Sequence, residues 1–230
     1  MRERLLATAF LATCVAVAGC GGGGKVSSAS LEPRLLPSNS IPGFGVQRTL
    51  DWTNPVDLVG QGMALPQVTR PSAAVKEFSG RHLRGAAGRI FANGSGLEET
   101  VVRTGVARFD SAADANAVRD WMHEQDLEQP CYGKCIFSPA PVAIAGIPSA
   151  RFVEQSSHLP APPAPPPGFT APGAKGHHAP VFAGPAPANY LAEFTIGPYL
   201  YWAVLQATAG NTAKFEAGLR AYYAHASQIS

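Results

Sequence analysis

Two stretches near the C-terminus restrict the fold more than any other part of the chain. From Tyr190 to Ile196 the residues alternate. Tyr190, Ala192, Phe194 and Ile196 fall on one face, Glu193 and Thr195 on the other. Gly197-Pro198 turns the chain, and Tyr199 to Thr208 answers as a second strand. In that strand Leu200, Trp202 and Val204 oppose Tyr201, Ala203 and Leu205. Apolar residues on both faces describe a strand in the interior of a sheet.

The other elements can be placed around this hairpin. Ser72, after Pro71, caps a helix predicted over 72–83. Strands at 88–92 and 99–109, joined by Asn93-Gly94-Ser95-Gly96, form an earlier hairpin. Ser111 with Asp114 three positions on makes a capping box with Asp in the Glu role. In the helix that follows, Ala115, Val118, Trp121, Met122 and Gln125 share the inward face. Arg119, Asp120, His123 and Glu124 are expected to point away. The helix ends before Pro130. Short strands are expected at 142–144 and 150–154, and an irregular stretch at 44–71. Asn211 caps a last helix striped by Phe215, Leu219, Tyr222 and Ala226. Residues 159–188 hold ten prolines, a composition that favours extended, solvated backbone over a packed core. The expected class is therefore α+β: an antiparallel sheet built from hairpins, helices packed on one face, and a long proline-rich insertion.

The N-terminus reads as an export signal. Two arginines, at 2 and 4, precede an apolar run from Leu5 to Val17, and small residues follow. A run of about 13 residues is short of the roughly 20 that span a bilayer. Val17-Ala18-Gly19-Cys20 resembles the bacterial lipobox. The resemblance implies that Cys20 becomes the N-terminus, carries a diacyl (palmitate-type) lipid and holds the protein to the membrane. Two acyl chains anchor stably where one does not. The expected organisation is a signal peptide at 1–19, lipid attachment and a flexible tether at 20–43, and one domain over 44–230. The expected location is the extracytoplasmic face of the cell membrane.

Composition narrows the partners. Without residues 1–19, Lys plus Arg falls from 18 to 16 and Asp plus Glu from 16 to 15. So even a balance gives no electrostatic footprint for nucleic acid. Cys131 and Cys135 remain as an even pair in an oxidising compartment and read as a structural disulfide. Their three-residue spacing differs from the two-residue spacing of thioredoxin-type enzymes. A four-sulfur zinc site would need a second pair. His177-His178, in the proline-rich stretch, is the one weak candidate for metal ligation. Arg81, His82 and Arg84 form a small basic cluster suited to anionic polymers or head groups. No phosphate-binding loop, zinc-protease motif, nucleophile elbow or serine-lysine motif is present, and no carboxylate pair stands out. No catalytic residue and no cofactor are assigned.

The element order over about 72–230 loosely resembles small α/β domains of actinobacterial envelope lipoproteins, including PsbP-like ones. The likeness implies a scaffold or binding role. The proline-rich insertion and the Cys131/Cys135 pair depart from it. The resulting expectation is a non-catalytic envelope protein that binds an envelope protein, a polymer or a small ligand. Two alternatives stay open: an envelope enzyme whose site assembles only in three dimensions, and a module that presents the proline-rich loop to a partner.

Overall fold

A computed structural model describes residues 28–60, 71–93, 100–128, 136–141, 144–158, 187–208 and 212–229. Seven strands form one antiparallel sheet: β1 (Gly45–Trp52), β2 (Gly85–Asn93), β3 (Thr100–Arg108), β4 (Ile136–Pro141), β5 (Arg151–His158), β6 (Pro187–Ile196) and β7 (Tyr199–Thr208). Their spatial order is β1-β2-β3-β7-β6-β5-β4. Helices α1 (Pro55–Gly60), α2 (Pro71–Gly80), α3 (Ala112–Glu128) and α4 (Thr212–Gln228) complete the unit. The chain meanders through β1, β2 and β3 and crosses along α3 to the far edge. It then meanders back until β7 lies beside β3.

β7 is the middle strand of the seven, as its two apolar faces require. It meets β6 through a two-residue turn in which Gly197 takes a positive φ of 56°. Glycine at the first turn position suits the twist of the flanking strands. The far edge strand, β4, contains Pro139 and Pro141. A strand paired on one side only tolerates residues that cannot donate to the ladder.

The α+β class and the antiparallel sheet are as expected, but the helices divide between the two faces instead of sharing one. On one face α1, α2 and α3 bury Leu58, Phe78, Val118 and Met122 against Trp52, Ile90, Leu200 and Trp202. On the other, α4 buries Phe215, Leu219, Tyr222 and Ala226 against Phe152, Phe194, Tyr201 and Ala203. The alternation of Leu200, Tyr201, Trp202 and Ala203 between the two cores sets the faces apart. On the α3 face, the indole of Trp202 lies over Gly105, its partner across β3–β7. A Cβ on Gly105 would stand 2.0 Å from the ring, so only glycine fits.

Two further expectations are corrected. Residues 45–52, read as irregular, form β1. Its inward residues Leu50 and Trp52 are buried. Residues 28–43, read as part of a flexible tether, lie against the sheet: Leu31, Leu35 and Leu36 are each at most 3% exposed and belong to the α4-side core. The Ser and Pro content concealed three leucines spaced to bury together.

Candidate functional site

The α4 face carries a cleft of about 620 Å³. Its floor is formed by β3 and β7, through Val102, Thr104, Ala203 and Leu205. α4 makes one wall, from Lys214 to Tyr222, and the segment Leu36–Phe44 makes the other. Floor residues two apart on each strand share this face because side chains alternate. The volume falls within the range of small-molecule sites, roughly 300–1,000 Å³. Asn93, Thr100 and Lys214 supply polar groups along it, and no carboxylate occurs among its described lining residues.

Polar contacts clamp the N-terminal segment in place. Arg89 donates from Nη1 to the Leu36 carbonyl (2.9 Å) and from Nη2 to Glu32 (3.1 Å). Arg34 donates to the Tyr201 hydroxyl (3.2 Å) and the Ile229 carbonyl (3.1 Å). Its guanidinium sits 3.8 Å above the Tyr199 ring. His225 Nε2 lies 2.8 Å from the Pro33 carbonyl, so this histidine ties α4 to the segment. Inside, the Tyr222 hydroxyl donates to the Gly105 carbonyl at 3.0 Å and holds α4 to the sheet.

The opposite face holds a polar cluster beneath α3. The helix start keeps half of the expected capping box: the Asp114 amide donates to Ser111 Oγ (3.1 Å), while the Asp114 carboxylate accepts from that hydroxyl (2.6 Å) and not from the Ser111 amide. Arg119, expected outside, is 8% exposed. It donates to Asp120 (2.8 and 3.0 Å), Asn116 (2.9 Å) and Thr195 (3.3 Å). His123, also expected outside, is half-buried. Burial lowers its pKa, and Arg151 adds to the effect. Sheet residues below α3 turn polar at Glu193 and Thr195, and this polar patch draws Arg119 inward.

Two carboxyls in this region form the pair that the sequence did not suggest. Glu193 is fully buried and Asp126 is 2% exposed. Burial pushes the Asp126 carboxyl up to about 7, offset in part by its hydrogen bond with Glu193. Burial, followed by the Asp126 charge, raises Glu193 well above the usual carboxylate range. Two ionised carboxylates are both acceptors and cannot satisfy each other, which is why neither Glu193 oxygen has a donor when both are charged. A proton on one makes it the donor. The pair is shut off from solvent and lies across the sheet from the cleft, so it does not touch a ligand there.

The two arginines of the basic cluster after α2 are held in ion pairs, Arg81 with Glu77 (2.9 Å) and Arg84 with Asp110. Cys20, Cys131, Cys135, His177 and His178 lie outside the described residues, as do the turn at 94–96 and residues 159–186. Among the described residues no group of three or more His, Cys, Asp or Glu side chains converges on a metal position, and no helix is long and apolar enough to cross a membrane.

No known family and no curated protein matches this sequence. Among solved structures, the fold is similar to the extracellular domain of PknH from Mycobacterium tuberculosis. The TM-score is 0.51 at 13% identity, over 90% of this chain and 98% of that one. The likeness shows a shared fold.

Proposed function

We propose that this chain is an extracytoplasmic, non-catalytic domain, anchored by lipid on Cys20, that binds a small ligand in the cleft between α4 and the sheet. The cleft carries this reading. It is large enough for a small molecule, lined mainly by apolar groups, and edged by a few polar ones. The shared fold with the extracellular domain of PknH supports the extracytoplasmic location. The lipobox-like tetrad supports the anchor. With Leu31 docked in the core, residues 20–27 are left to join lipid to packed chain, and they reach at most about 28 Å. The domain would therefore ride close to the bilayer. The Cys131/Cys135 disulfide belongs to the same reading, as a covalent closure of the chain after α3.

The test is to purify the exported protein from membranes of a bacterial host under non-denaturing conditions and weigh it intact by native mass spectrometry. The reading expects a diacyl adduct on Cys20, a mass two hydrogens short from the 131–135 bond, and a non-covalent ligand that leaves when Gly218→Leu fills the cleft. A chain that carries no lipid, or a Gly218→Leu protein that retains its ligand, contradicts it.

A further inference from the structure

We infer that the cleft takes a single-chain amphiphile, a fatty-acid-like molecule whose alkyl chain lies along α4 with its acidic head beside Lys214. This rests on the reading of the cleft as a ligand site and goes on to name the ligand class. Four observations carry it.

The first is shape. Along α4 the cleft runs from Lys214 to Tyr222, about 12 Å at the rise of a helix. Along β3 it runs from Thr100 to Thr104, about 13 Å at the rise of a strand. Both spans are of the length that an extended alkyl chain covers.

The second is polarity. The floor offers methyl and methylene groups of Val102, Ala203 and Leu205 and almost no hydrogen-bonding group. The Thr104 hydroxyl is buried below the floor surface and presents no donor or acceptor to the cleft. A sugar or peptide would leave its own polar groups unpaired on such a floor, at a cost that an alkyl chain avoids.

The third is Gly218. It sits in the interior of α4 and lines the cleft, yet a Cβ there would meet nothing within 4 Å. Glycine inside a helix is unfavourable relative to alanine. No packing among the described residues requires it. The space it leaves open is cleft space, available to a ligand.

The fourth is charge. Lys214 is the cation among the described lining residues, with no acid beside it in that set and no salt bridge among the described residues. It stands in the first turn of α4, where the helix end also favours an anion.

Calorimetric titration of the full-length protein with hexanoate, octanoate, decanoate, dodecanoate and hexadecanoate tests the class. Saturable one-to-one binding is expected, tightening about fourfold per added methylene until the trough is filled and then levelling off. Gly218→Leu, which keeps the helix, should abolish binding at every length. Lys214→Glu, on the surface, should weaken the carboxylates about threefold and leave the alcohols of equal length unchanged. If no chain length saturates while a sugar or peptide binds and is blocked by Gly218→Leu, the amphiphile assignment is overturned and the cleft remains a ligand site. If nothing binds in a manner sensitive to Gly218→Leu, both fail.

Discussion

Asp126 of α3 and Glu193 of β6 bury their carboxyls together beneath the helix, and the Arg119 charge opposes the protonation of Glu193. Their folded-state pKa values lie above those of an unfolded chain. Between about pH 4 and pH 7 the folded protein therefore holds protons that the unfolded chain has released. Their contribution is complete below the unfolded value and is lost as pH rises through the folded one. The protein is expected to resist urea better at pH 5 than at pH 8, with Asp126 alone contributing on the order of 3 kcal/mol. Glu193→Gln should flatten the profile and stabilise the protein at pH 8. His123 opposes the trend, since its lowered value makes stability fall as pH drops below about 6.5. His123→Asn should steepen the profile. A urea midpoint that rises with pH in the wild type, or is unmoved by Glu193→Gln, contradicts the arrangement.

Gly105 is held as glycine by the indole of Trp202. An added methyl would overlap a fully buried ring in the middle of the sheet. Gly105→Ala is expected to cost about 3 kcal/mol or more, at the upper end for overpacked cores. The check is the denaturant midpoint. A loss under about 1 kcal/mol would mean the ring moves aside freely.

Leu31, Leu35 and Leu36 belong to the domain's core. Chains starting at 28 and at 44 should differ sharply, because only the first keeps Leu31, Leu35 and Leu36 in the core. Removing those three side chains is expected to cost several kcal/mol, at about 2–5 kcal/mol for each buried leucine lost. Equal thermal midpoints for the two chains would return 28–43 to the role of a tether.

Gly218→Ala should raise stability by about 0.5–1 kcal/mol, because alanine is the better helix former and its methyl meets open space. The same change should weaken ligand binding. Thermal unfolding with and without ligand separates the two effects. A destabilised Gly218→Ala protein would show that the glycine serves packing.

Much of the fold could be read from local pattern. The β6–β7 hairpin was legible because its alternation is strict and its turn is Gly-Pro. The α3 start was legible because Ser111 and Asp114 cap it, and the α4 stripe because its four apolar residues hold one face. β1 escaped notice because six of its eight residues are exposed and mixed in type. Arg119, Asp126 and Glu193 escaped for a different reason. In a sheet covered on both faces, a polar residue on the second face of a strand enters another core, and only the tertiary packing reveals that. The cleft had no local signal, since β3, β7, α4 and the Leu36–Phe44 segment come together from four separate parts of the chain. Gly218 was the one available hint, as a glycine inside an otherwise regular helical stripe.

The cleft as the ligand site is tested most directly by methyl NMR of the full-length protein titrated with decanoate. The account predicts saturable shifts at Val102, Leu205 and Leu219, on the α4 face, with Val153, Leu191 and Val204 on the α3 face unmoved. Shifts centred on the second group, or spread evenly over both faces, would contradict it.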